Sequence, residues 1–353
     1  MDVMLTYHVE GEASTPSAAV FHEIEQQVRL ADRLGYSAAW FAEHHFHVHR
    51  GHLPNPLLFA LHLAGKTERI HLGSAVICTG LHHPLRLAED LITADVLTGG
   101  RLSIGLGSGS SPSEFTAFGV TPDEQTAAAR HARFAEQLDV LEQAWRGEAV
   151  DVQGERLRVT APPVLPRPLR PLKNVLWIAA NSLGQATLTG QRGYALMLSR
   201  ERTVEEMRDL VAAYDAGRRA AGHPPGEGRV AASRAVHVGD SDGAAEAAVA
   251  EAVDLLVRRQ RATRPGVAGR PYPVTFAQAC AEAQFVAGGP QTVADVFAAL
   301  KEAVPFTDLH LQMRWQGIAA EGVQGSIRRF WEVVRLLQQP AAPDAPTPPS
   351  AAP

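Results

Sequence analysis

Short apolar runs alternate with longer stretches of helical period along almost the whole of this 353-residue chain. The runs at 3–7, 38–42, 70–77, 102–106, 175–179, 194–198, 230–238 and 309–313 have the length and composition of strands. Between them lie helical patterns. Phe21, Ile24, Val28, Ala31 and Leu34 keep a spacing of three or four in a helix over 16–34, with Thr15 as N-cap, Pro16 at the first helical position and Gly35 as the stop. Further helices are expected over 56–66 and 84–97, through Phe134, Leu138, Leu141 and Trp145, and after Pro290. Strands that alternate with helices pair in parallel, because every crossover is a helix. Eight such units predict closure into a (β/α)8 barrel, an α/β fold, with an open doubly wound sheet as the alternative. Against the open sheet, "GLGSGS" follows the fourth run, whereas a dinucleotide fingerprint follows the first. The barrel is assigned to 1–338. Two insertions interrupt it: a hairpin around "VDVQGERLRV" with a Pro-rich connector, and a long irregular loop over 260–289, of a length often used for functional lids. The Pro/Ala-rich tail 339–353 has little to bury and is expected to be disordered.

Composition narrows the function classes. The 33 Lys+Arg residues are scattered against 38 Asp+Glu, for a net charge of −5, so a nucleic-acid partner is not expected. No apolar run reaches the length of a membrane span, and no basic leader precedes the first strand. Two distant cysteines, Cys78 and Cys280, make neither a disulfide framework nor a thiolate metal cluster, which suits a cytoplasmic protein.

In a barrel of this kind the active face is the C-terminal end of the strands. The segment "AWFAEHHFHVHRGHLPNP" leaves the second strand at that face with Glu43, His44, His45, His47, His49 and His52. Three readings stand: a metal site, an acid/base site, and a His-rich surface loop. Adjacent His-His cannot easily hold one ion from an extended backbone. Successive residues at a strand end point to different sides, so only some of them face the centre. Glu43 and His44 are the active-site candidates, and His47, His49 and His52 read as loop. After the fourth strand, Gly105, Gly107 and Gly109 allow close backbone approach to a flat or phosphorylated ligand, although such a run is often only a turn. After the fifth, Asn181 and Ser182 open a helix whose N-terminus suits an anion, or simply cap it. After the sixth come Ser199 and Arg200, the latter a cation suited to phosphate. Glu43, Gly107, Asn181 and Ser199 are thus expected at one mouth.

The ordered series "WFAEHHF", "NPLLFALHLAGKTERIHLGSAV", "HHPLRLAEDLITADVLTGGRLSIGLGSG" with "EFTAFG", "WIAANSLGQATLTGQRGYALMLS" and "FVAGGPQTVADVFAALKEA" resembles the bacterial luciferase-like flavin-dependent monooxygenases. The resemblance covers most of the chain apart from the tail. It implies a barrel that binds reduced FMN delivered by a separate reductase, activates dioxygen through a flavin C4a-(hydro)peroxide and oxidises a small organic substrate, commonly as a homodimer. His44 matches the catalytic histidine, with Glu43 beside the flavin. Ala75 and Val76 match a strand-end pair often joined by a cis peptide against the flavin ring. Asn181, Ser182 and Gln185 match phosphate-contacting positions. Two departures stand out: Ser108 replaces an arginine, and Asn181-Ser182 replaces Glu-Ser. The 260–289 loop is shorter than the luciferase lid, so light emission is not expected. The same family includes deazaflavin-dependent hydride-transfer enzymes and non-catalytic flavin-binding proteins. A metal-dependent barrel hydrolase is the reading outside the family.

Overall fold

The computed structural model describes residues 1–12, 14–47, 51–263, 275–281 and 284–338. Eight parallel strands form its centre: β1 (Asp2–Tyr7), β2 (Ala38–Phe41), β3 (His71–Ser74), β4 (Leu102–Gly107), β5 (Leu176–Ala179), β6 (Ala195–Leu198), β7 (Val230–Val238) and β8 (Asp308–Gln312). Each pairs in parallel with the next, and β8 returns to pair with β1, which closes the barrel. The alternation seen in the sequence therefore produces the (β/α)8 architecture. Among the described residues no helix is long and apolar enough to cross a membrane.

The helices bury the faces their spacing marks. Ser17–Leu34 buries Val20, Ile24, Val28 and Ala31, and Gly35 ends it in the left-handed region, its N–H bonded back to Ala31 O. Its start differs from the expected one. Pro16 holds the cap position with no side-chain bond, because Thr15 is drawn into a turn through its N–H bond to Glu12 O. The hairpin forms as expected, Val150–Gln153 running antiparallel to Arg158–Ala161.

Two stretches depart from expectation. The third run divides into β3 and a short strand Ile77–Cys78, separated at the Ala75–Val76 peptide, which is cis. The expected loop 260–289 is partly regular: the helix Asp242–Thr263 runs into it, and it holds the helix Phe276–Ala281 and the strand Phe285–Gly288. The length of β7 explains that strand. β6 pairs only with Val230–Ala232, which leaves the upper half of β7 without a neighbour, and Phe285–Gly288 pairs with Ala235–Val238 there. The rest of the expected loop, 264–274 with 282 and 283, lies outside the described residues, as does the tail 339–353.

The lumen is packed, not open. Met4, Ala38, Trp40, Trp177, Ala195, Met197 and Ala231 form one buried cluster inside it. Trp40 and Trp177 meet edge to face at 5.9 Å, and His310 sits at 5.1 and 5.6 Å from their rings. Arg229 stacks on Trp177 at 4.7 Å and pairs with Asp2 and Asp308, closing the floor. His310 is buried, and among the described residues neither ring nitrogen has a hydrogen-bond partner. Burial, with a smaller contribution from Arg229, pushes its pKa down to about 3.

A pH effect on stability follows. His310 is neutral when folded, whereas an exposed histidine titrates at about 6.5, so between those values the unfolded chain binds one more proton. Stability then rises with pH, by roughly 1 kcal/mol per unit from this ring between pH 4 and 6. His310→Phe should flatten the curve of unfolding free energy against pH, measured by urea denaturation, by about that slope. An unchanged slope would show that the ring is not held neutral.

Candidate active site

All eight strands run the same way, so Glu43, Gly107, Asn181 and Ser199, each at or just past a strand end, share one mouth. Consecutive residues past β2 diverge. The Glu43 carboxylate turns into the wall, where its side chain is 2% exposed and accepts three bonds. His45 Nε2 approaches Oε1 at 2.9 Å, His82 Nε2 approaches the same oxygen at 3.1 Å, and the Cys78 N–H donates to Oε2 at 2.9 Å. Burial alone would raise the Glu43 pKa. The bonds from His45 and His82, the His82 charge and the Cys78 N–H outweigh it and hold the carboxyl below its ordinary range. Its partner responds in the opposite sense: the bond to Glu43 raises the His45 pKa against a smaller burial effect. Glu43 is thus a fixed anion that ties the end of β2 to the segment after the cis peptide.

His44 faces the other way. Its Nε2 lies 3.2 Å from Nδ1 of His8, just past the end of β1, and the two ring centroids are 5.5 Å apart with planes 20° from parallel. Loop histidines are also engaged: His47 Nε2 lies 3.2 Å from Glu114 Oε1, and Ser17 bonds His52. His49 lies outside the described residues. Among the described residues no group of three or more His, Cys, Asp or Glu side chains is arranged to hold a metal ion.

Ala75 and Val76 are half-buried and, with Ala179, border the lumen cluster. The glycines of β4 make this possible. A Cβ on Gly105 would stand 2.1 Å from Ser74 O, and one on Gly107 would stand 2.8 Å from Val76 Cγ2. The space that the sequence suggested for a ligand at these two positions is therefore filled by the protein's own cis segment. What that leaves facing the mouth is a flat wall of small side chains.

Across the mouth, four of the expected residues form one network. Gln185 donates from Nε2 to Ser108 Oγ at 3.0 Å, and its Oε1 accepts the Asn181 N–H at 3.4 Å. Ser182 caps the helix Leu183–Arg192 by accepting the Gln185 N–H. Arg202, which the sequence did not single out, is buried, donates from Nη2 to Asn181 O at 2.9 Å and lies 3.7 Å from Glu206, while among the described residues its Nε has no hydrogen-bond partner. The expected cation, Arg200, lies 3.9 Å from Glu201, and the Ser199 hydroxyl accepts the Glu201 N–H. An arrangement with a capped helix N-terminus, hydroxyl and amide groups, and a buried guanidinium nitrogen without a partner fits a phosphate. The cis-peptide wall fits a planar ring.

His8, His82, Glu114 and Arg202 were missed from sequence. His82 had a visible signal, a second His-His pair in "GLHHPL". The others stand alone in their segments and gain meaning only from neighbours distant in the chain.

Replacing the central anion should be costly. Glu43→Gln should lose about 1–3 kcal/mol of stability at pH 6, the cost of disrupting buried bonds to a charged group. Glu43, with its lowered pKa, stabilises the fold above the ordinary carboxylate range and loses that effect as pH falls through its folded pKa. His45, with its raised pKa, stabilises the fold below about 6.5 and loses that effect as pH rises through its folded value. The deficit of the variant in urea unfolding should therefore narrow from pH 6 to pH 9. An identical deficit at both would show that His45 is not held as a cation.

Residues 1–305 match the profile of the family described as "Luciferase-like monooxygenase". A flavin-dependent trigonelline monooxygenase, oxygenase component, from Acinetobacter baylyi is 28% identical over 49% of this chain and 47% of its own length. An F420-dependent glucose-6-phosphate dehydrogenase from Kineococcus radiotolerans is 32% identical over 46% of this chain and 48% of its own. The matched stretch thus spans about half the length of these relatives. The crystal structure of monooxygenase RslO1 from Streptomyces bottropensis superposes with a TM-score of 0.83 at 26% identity, over 95% of this chain and 99% of that one. The chain belongs to the luciferase-like monooxygenase family.

Proposed function

We propose that the protein is the oxygenase component of a flavin-dependent monooxygenase, taking reduced FMN from a separate reductase and using dioxygen to oxidise a small organic substrate. The observation that carries this reading is the network Ser108–Gln185–Asn181–Arg202 at the mouth that also holds the Ala75–Val76 wall. A flavin mononucleotide needs both surfaces, one for its ring and one for its phosphate. When bound in reduced form, it supplies the electrons that activate oxygen.

The chain's own residues do the rest. Ala75, Val76 and Ala179 give the ring a flat apolar backing. Ser182, Gln185 and the helix N-terminus take the phosphate, with Arg202 in place of the arginine absent at Ser108. His44 holds or gives a proton at its imidazole. Glu43, saturated by its partners, positions the strand end that carries His44. Trp40 and Trp177 fill the lumen below and keep water from beneath the site. The reductase and the expected homodimer belong to this reading, and the monooxygenase relatives support it.

A second reading, hydride transfer with a deazaflavin coenzyme, is favoured by the F420-dependent relative, and a phosphate cradle serves either molecule. Titration of the purified protein with FMN, reduced FMN and the deazaflavin, followed by oxygen uptake with each reduced form, separates them. Reduced FMN should bind and consume oxygen. Binding of the deazaflavin alone, with no oxygen uptake, would overturn the proposal.

The phosphate assignment has its own test. Arg202→Ala should weaken FMN about ten-fold, equivalent to 1.4 kcal/mol, and leave riboflavin within about two-fold. Arg200→Ala should change neither by more than about two-fold. Equal weakening of FMN and riboflavin by Arg202→Ala would remove the phosphate from this mouth.

A further inference from the structure

The floor of the barrel holds a cavity of about 450 Å³, at the end opposite the mouth. Its lining comes from the segments that lead into three strands: Lys173 before β5, Arg192 before β6, and Glu227 and Arg229 before β7. Tyr214 and Arg218 complete it from the helix Val204–Ala220. That helix lies close against Leu183–Arg192. A Cβ at Gly190 or Gly217 would run into the backbone of the other helix, and the Tyr214 hydroxyl donates to Tyr194 O at 2.9 Å. The close approach fixes Arg218 beside the start of β6.

Charge in this cavity is unbalanced. Among the described residues Lys173, Arg192, Arg218 and Arg229 line it against a single carboxylate, Glu227, on a chain whose net charge is −5. Two of the four cations are neutralised from behind. Arg192 reaches Asp139 at 2.7 Å and Glu142 at 3.0 Å, and Arg229 pairs with Asp2 and Asp308; none of these carboxylates lines the cavity. Among the described residues neither Lys173 nor Arg218 has a carboxylate within ion-pair distance. Lys173 is exposed, at the rim. Arg218 is 7% exposed; its Nη2 donates to Pro224 O at 3.1 Å and its guanidinium lies 5.8 Å from the Tyr214 ring centre. A carbonyl and an aromatic face offset part of the cost of burying a guanidinium, but they leave its charge in place. A cleft with low-dielectric walls and one sign of charge concentrates the opposite ion.

We propose that the floor cavity is a second binding site, for a small multivalent oxyanion: a phosphorylated or polycarboxylate metabolite. The buried Arg218 presents forked donors that match either oxyanion, and the Lys173 ammonium adds a point charge at the rim. The volume is that of a small-molecule site. Glu227 opposes the anion and limits its affinity. The site is independent of the cofactor reading above, because its residues stand at the opposite ends of the strands from His44 and Arg202.

Calorimetric titration of the cofactor-free full chain with pyrophosphate and with citrate, at matched ionic strength, tests the site. At least one of the two should bind with one equivalent per chain. Arg218→Gln should weaken that binding about ten-fold or more. Lys173→Glu, which reverses an exposed charge and breaks no ion pair, should weaken it about five-fold, and Glu227→Gln should tighten it about two-fold. Tighter binding of pyrophosphate marks a phosphorylated ligand, and tighter binding of citrate a polycarboxylate. Absence of binding by both overturns the proposal. So does binding that Lys173→Glu and Glu227→Gln leave unchanged, or binding that is lost only in Arg202→Ala, which belongs to the mouth. Should Arg218→Gln fail to fold, the two exposed variants still decide.

Discussion

The mouth of the barrel is organised around one buried carboxylate. Glu43 is the first charged residue after β2, and every bond it makes crosses to another part of the wall or turns the loop back on itself. Without those donors a carboxylate at this depth would be neutral or the segment would unfold locally, because burial of an unpaired charge carries a large desolvation cost. With them it is a permanent anion. It fixes the start of the His-rich loop against the segment after the cis peptide. His45 and Cys78 are held on its two sides, and His44, between Glu43 and His45, is turned toward His8.

That arrangement sends three consecutive side chains to different neighbours. Glu43 and His45 form a charged pair in the wall, each stabilising the charged form of the other. His44 is excluded from it and joined to the ring of His8, just past β1, instead. The same division recurs on the far side of the mouth. Ser108, Gln185 and Asn181 satisfy one another, and the buried guanidinium of Arg202 completes the network while keeping one nitrogen without a partner. Between the two sides lies a wall of small residues whose flatness comes from glycines on β4 that admit the neighbouring chain.

Much of the fold was legible in the sequence because it rests on local periodicity. Eight short apolar runs separated by helical patterns leave few topologies, and closure follows when each strand must be covered by the helix that leads to the next. The misreadings share one cause. The helix start at Ser17, the division of the third run and the outer strand at Phe285–Gly288 each depend on a partner far along the chain: a turn, the neighbouring glycines of β4, or the unpaired upper half of β7.

The sequence by itself determined the barrel, its active end and the segments that meet there, since strand direction and strand ends are set by patterns within each unit. It also marked Glu43, His44, Asn181, Ser182 and Gln185, through a resemblance spread over most of the chain. Only the tertiary structure decided their division of labour. Side chains one position apart point to opposite sides of a wall, so which of Glu43, His44 and His45 meets the mouth depends on what waits on each side. His8, His82 and Arg202 are the residues that wait there, and they come from β1, from the turn after the cis peptide and from the loop after β6. Arg200 and Arg202 are indistinguishable as letters. Both reach a nearby carboxylate, Glu201 and Glu206, and the fold bonds Arg202 to the network at Asn181 as well, because hydrogen-bond geometry between distant segments is a property of the closed barrel and of no shorter piece of chain.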